Sequence, residues 1–151
     1  MIALPRLLAT GLGLGLMPKA PGTWGSLLAL PIAWGLAPLG IAVSLAGAIV
    51  LTLVGLWAIA RTLESGDVLD PPEIVIDEVC AQWMVLALLP AEPLAYALGF
   101  AFFRLFDITK PWPAGWADRN LHGALGVMAD DILAAPHAIA ASWGVLWLIG
   151  Q

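Results

Sequence analysis

Five carboxylates in this 151-residue chain stand beside apolar segments: Asp77 and Glu78, Asp107, and the pair Asp130 and Asp131. Acids next to apolar helices are costly unless something neutralises them. Like charges gathered at one depth raise one another's pKa or drive the helices apart. A bound divalent cation resolves both problems. Carboxylates with no cluster of Cys or His select a hard ion, Mg2+ or Mn2+, over zinc. Interleaved with the acids are Arg104, Lys110, Arg119 and His122. A carboxylate–metal centre ringed by cations suits a phosphate ester, because metal and cations together offset charge on the transferring group. Arg104, Asp107 and Lys110 fall three apart, so a helix end shows them on one face before Pro111 stops it. Pro21-Gly22-Thr23-Trp24-Gly25-Ser26 opens another helix, with Thr23 placed as its N-cap. Free N–H groups at that start, with Lys19 just upstream, make an anion site.

Each feature alone has a plainer explanation. Asp77-Glu78 and Asp130-Asp131 suit helix N-termini, where negative charge is favoured, and Arg104 and Lys110 suit membrane anchoring. Thr23 and Ser26 suit simple capping, His122 a polar loop, and His137 a structural role after Pro136. Cys80 has no Cys-x5-Arg pattern behind it, so a cysteine-phosphatase mechanism is unsupported. Trp24, Trp57, Trp112, Trp116, Trp143 and Trp147 fit interfacial anchoring. The case for chemistry rests on the joint placement of the clusters.

The elements that must position them are set by composition. Hydrophobic residues make up 61% of the chain and charged residues 11%, with a mean hydropathy of +0.93. A single 151-residue domain cannot hide that much apolar surface from water, and a disordered coil would expose it all. The reading is one all-α, membrane-embedded domain over residues 1–151. Six Lys and Arg against eleven Asp and Glu leave no basic footprint for nucleic acid. Residues 20–60 carry no formal charge, about two spans at ~20 residues each. Pro38 and Gly40 divide that run, predicting helices over 24–36 and 41–61. Pro31 is expected to bend or break the first. Pro90 and Pro93 divide the next, predicting helices over 73–89 and 93–107, and a fifth apolar stretch covers 132–151. Several are short for a span and are expected to be tilted or re-entrant. Arg6 followed by an apolar run imitates a secretory signal, but Gly11, Gly13, Gly15 and the proline-rich segment after them leave no cleavage site. With five helices folded this way, all six cations (Arg6, Lys19, Arg61, Arg104, Lys110 and Arg119) fall on one side of the membrane. The positive-inside rule makes that side cytosolic.

Thr10-Gly11-Leu12-Gly13, Pro18-Lys19-Ala20-Pro21-Gly22-Thr23-Trp24-Gly25-Ser26 and Asp77-Glu78 resemble signatures of the phosphatidylglycerophosphatase A family. So does the long run through Phe103-Arg104, Asp107, Lys110-Pro111-Trp112-Pro113, Asp118-Arg119, His122-Gly123, Gly126, Met128 and Asp130-Asp131-Ile132. The matches keep their order over nearly the whole chain. One departure is Gly123-Ala124, where the family signature has paired glycines. The resemblance implies a Mg2+-dependent lipid phosphatase of the bacterial inner membrane that converts phosphatidylglycerophosphate to phosphatidylglycerol.

Roles for individual residues are inferred from their chemistry. Asp77, Glu78, Asp107, Asp130 and Asp131 are expected to bind one or two Mg2+ ions. Arg104, Lys110 and Arg119, with Lys19 and Thr23, are expected to hold the phosphate. His122 is expected to protonate the leaving alkoxide. Attack by water and an aspartyl-phosphate on Asp77 or Asp107 both stay open. Two rivals are a divalent-cation transporter and a non-catalytic membrane scaffold. The transporter predicts acids deep inside the apolar runs, which contain only Glu92, in its turn. The scaffold predicts that alanine is tolerated at every acidic position.

Overall fold

Glycine and proline divide the apolar chain into helices that start and stop where those residues force them to. The computed structural model describes residues 3–64 and 71–150. The helices are α1 (Leu4–Ala9), α2 (Pro21–Leu36), α3 (Ile41–Glu64), α4 (Ile76–Ala87), α5 (Pro93–Thr109), α6 (Ala114–Asn120) and α7 (Gly123–Leu148). No strand occurs among the described residues. Pro21 and Pro93 occupy the first turns of α2 and α5, where the missing N–H costs nothing. A 3-10 turn over Ala37–Leu39 ends at Gly40, whose φ of +91° suits a residue without Cβ.

The all-α expectation holds, with corrections at the helix ends. α2 starts at Pro21 and not at residue 24, so Thr23 lies within its first turn and caps nothing. The cap position is Ala20, in the left-handed region, with no side-chain bond. Pro31 neither breaks α2 nor ends it. Pro31 and Leu27, whose carbonyl its ring would crowd, both face outward, so the lost bond falls on the unpacked side. α4 begins at Ile76, three residues later than expected, with Asp77 and Glu78 in its first turn. α7 begins at Gly123, nine residues before the apolar stretch, so Asp130 and Asp131 lie two turns inside it and are not N-terminal acids. α1 and α6 were not expected. Gln151 and residues 65–70 of the link before α4 lie outside the described residues.

α4 is the hub. It packs against α2, α3, α5 and α7, and ten of its twelve residues are buried. One apolar cluster joins α1, α2, α3 and α4 with Met128, and a second joins α4, α5 and α7. Two helices, α3 with 24 residues and α7 with 26, are long and apolar enough to cross a membrane. At ~1.5 Å per residue each exceeds the ~30 Å hydrocarbon thickness. α3 turns Val43, Ile49, Val50, Leu53 and Trp57 outward, an apolar face suited to lipid.

Close approach fixes the α3–α4 seam. Trp83 of α4 is buried and its indole N–H donates to Ser44 Oγ at 3.0 Å. A Cβ on Gly47, one turn along α3, would sit 2.6 Å from the Trp83 ring. Gly47→Ala is therefore expected to lower stability by about 1–3 kcal/mol through overpacking. A thermal melt in detergent checks this, and an unchanged midpoint would mean that the seam is looser than the geometry shows.

Candidate active site

The first turn of α4, the last turns of α5, the start of α2 and the second turn of α7 meet at one end of the bundle. Asp77 and Glu78 project from α4 and Asp131 from α7, and one carboxylate oxygen from each lies within 4.8 Å of the other two. Asp77 and Asp131 are buried and Glu78 is half-buried. Asp77 Oδ1, Glu78 Oε2 and Asp131 Oδ2 are enclosed and have no hydrogen-bond partner. Three converging acids with orphaned oxygens are expensive unless a cation sits among them.

α2 closes this group from one side. Gly22 lies so near that a Cβ there would overlap the Glu78 carboxylate and stand 3.2 Å from Arg104 Nη2. A Cβ on Gly25 would meet the Val75 carbonyl at 2.8 Å. The two glycines let the α2 backbone reach the acidic turn, a role no other residue could fill. Arg104 of α5 spans the gap. Its Nη1 lies 2.5 Å from Asp107 Oδ2, 4.0 Å from Glu78 Oε1 and donates to Ser26 Oγ at 3.3 Å. Its Nε is buried and unpartnered.

Lys110 sits in the left-handed region at the end of α5, which takes its side chain off the helix face shared by Arg104 and Asp107. Its ammonium reaches Asp118 at 2.5 Å and also Asp130. Burial works against its charge, but the two carboxylates outweigh burial and raise its pKa above the ordinary value. Asp130 keeps one oxygen, Oδ1, enclosed and without a partner. Beside it lies a cavity of about 220 Å³ lined by Arg119, Leu121, His122, Gly126, Asp118 and Asp130.

The structure thus gathers Asp77, Glu78 and Asp131 as one group. It sets Asp107 with Arg104 and Asp130 with Lys110 on the borders, each acid holding a cationic partner. Arg119 and His122 are exposed and face the adjoining cavity. Lys19 is exposed and Thr23 half-buried at the start of α2, and among the described residues neither makes an ion pair or side-chain hydrogen bond with the carboxylates. Sequence reasoning missed Gln82. It is fully buried one turn below Glu78, with both amide atoms unpartnered. A lone amide in an otherwise apolar helix was the signal. Asp118, seen in the sequence only as part of a polar run, proves to be a partner of Lys110.

The donor set is all oxygen, which fits a hard divalent ion such as Mg2+, and the orphaned oxygens are the groups such an ion would satisfy. Together with Arg104 this end of the bundle can hold a dianion beside a metal and polarise it.

Comparison with known proteins finds lipid phosphatases. The family described as Phosphatidylglycerophosphatase A matches residues 7–146. A phosphatidylglycerophosphatase A of Escherichia coli is 38% identical over 154 residues, covering 97% of this chain and 83% of that protein. One from Haemophilus influenzae is 37% identical, covering 95% of this chain and 90% of that protein. A Bacteroides thetaiotaomicron protein, provisionally named a phosphatidylinositol-3-phosphatase, is 38% identical over 97% of this chain and 96% of its own length. No solved structure matches the chain.

Proposed function

The chain belongs to the phosphatidylglycerophosphatase A family, and we propose that it removes the terminal phosphate of phosphatidylglycerophosphate with Mg2+ held by Asp77, Glu78 and Asp131. It is a phosphoric monoester hydrolase, and the products are phosphatidylglycerol and inorganic phosphate. The observation that carries the site assignment is the convergence of those three carboxylates, their unpartnered oxygens buried together. When bound, the metal would polarise the phosphoryl oxygens and lower the pKa of a water.

The chain's own residues supply the rest. Arg104, fixed by Asp107 and Ser26, holds the phosphoryl group through the positive charge of its guanidinium. Lys110 stays cationic through Asp118 and Asp130 and keeps Asp130 in place. Arg119 and His122 line the adjoining cavity, which takes the glycerol side of the phosphate, and His122 gives a proton to the departing alkoxide. The acyl chains stay in the bilayer while the head group meets the acids. The proposed setting is the bacterial inner membrane, with the site on the cytosolic face. What supports this is the grouping of Arg104, Lys110 and Arg119 at the acidic end of the bundle under the positive-inside rule.

The test is phosphate release from phosphatidylglycerophosphate in detergent micelles. Release is expected with Mg2+, a loss of at least about a hundredfold in EDTA, and recovery when Mg2+ is restored. No release in the presence of Mg2+ would favour a transporter or a scaffold. Phosphatidylinositol 3-phosphate belongs in the same assay, and slower release from it is expected.

A further inference from the structure

The faces of α2 and α5 that reach the acids continue away from them as one apolar seam. On α2, Gly22, Ser26, Leu30 and Trp34 recur every fourth residue and form one ridge that winds about 40° round the helix at each step, from the buried Gly22 and Ser26 to the exposed Trp34. Gly22 lies against Glu78, and Ser26 accepts from Arg104. The lower pair, Leu30 and Trp34, lines a groove of about 520 Å³ together with Gly35, Pro93, Tyr96 and Ala97. On α5, Ala97 and Pro93 lie seven and eleven residues before Arg104, again on the face that carries it. One face of α5 and the adjoining ridge of α2 therefore lead from the phosphate-binding guanidinium at one end to the groove at the other.

We propose that this groove is the subsite for an acyl chain of the phospholipid substrate, an inference that rests on the phosphatase reading above. Its depth suits that ligand. From Ser26 to Trp34 the helix rises about 12 Å, close to the ~15 Å of hydrocarbon in one leaflet. A head group held by Arg104 thus places its chain alongside Leu30 and Trp34. The wall is firm: Trp34 meets the buried Tyr96 edge to face, with ring centroids 5.3 Å apart. It is also open, since a Cβ on Gly35 would touch nothing within 4 Å. No charged residue lines the groove, so its occupant is held by apolar contact alone.

The experiment fills the groove and compares lipids that differ only in chain length. Ala97→Trp and Gly35→Leu are assayed on dioleoyl and dihexanoyl phosphatidylglycerophosphate, with the Val50→Trp variant of the outer face of α3 as control. Ala97→Trp is expected to raise KM for the dioleoyl lipid about tenfold, the worth of two or so methylenes losing contact. KM for the dihexanoyl lipid stays within about twofold, which also shows that the variant is folded. Gly35→Leu shifts the ratio the same way and decides the matter if Ala97→Trp is inactive on both lipids. The control leaves the ratio unchanged. A long-to-short ratio unaltered in the active variants overturns the subsite while leaving the phosphatase reading intact. An unsubstituted protein that releases phosphate from neither lipid overturns that reading and the subsite with it.

Discussion

Asp131→Asn is expected to cut kcat/KM for phosphatidylglycerophosphate by about 10²–10³ while the protein remains folded in detergent. The argument is one of charge placement. Asp131 is buried two turns inside α7, aimed at Asp77 and Glu78 of α4, and its Oδ2 has no partner. An amide of the same shape keeps the packing but removes one anionic ligand from the group of three. It also relieves repulsion between buried carboxylates, so stability is expected to hold or rise. That opposition separates a functional acid from a structural one. The measurements are phosphate release over a range of Mg2+ concentrations, with a melting curve beside it. A variant of full activity at every Mg2+ concentration would remove Asp131 from the proposed metal site.

Arg104→Lys is the second large effect, with an expected loss of about a hundredfold in kcat/KM despite the conserved charge. The guanidinium answers to several groups at once: Asp107, Glu78 at 4.0 Å and Ser26 on the facing helix. An ammonium is a compact point charge that cannot reproduce a planar fork. It would hold Asp107 or the phosphate but not both in register. Activity within a few-fold of the unsubstituted protein would show that charge alone suffices there.

Much of this centre was legible in the sequence, because the turns are written in proline and glycine. Pro38-Leu39-Gly40 and the Pro90–Pro93 corner fold the apolar runs back on themselves, and Asp77-Glu78 then has to meet the Arg104–Asp107 turn. The i, i+3 spacing puts that last pair on one helix face, as expected, and there the two side chains form an ion pair. The division of labour among the five acids was not legible. Asp130 and Asp131 are neighbours, about 100° apart around α7, and which one faces α4 depends on where that helix begins. An apolar-run criterion starts it at residue 132, whereas the chain is already helical from Gly123, through the polar turn. α1 and α6 escaped notice for a similar reason: at six and seven residues they are too short for any hydrophobic period to show. Thr23 looked like a cap because a hydroxyl precedes an apolar run, but the fixed φ of Pro21 starts the helix first.

The enclosure of α4 bears on how such a protein is made. Twelve residues give it a length of about 18 Å, short of the ~30 Å of a bilayer's hydrocarbon, and its first turn carries two acids. It depends on α2, α3, α5 and α7 to enclose it. Asp131 leaves the ribosome only with α7, after the rest of the centre. The group of three carboxylates is therefore completed last as the chain is made, and a polypeptide halted ahead of α7 would carry Asp77 and Glu78 without their third partner.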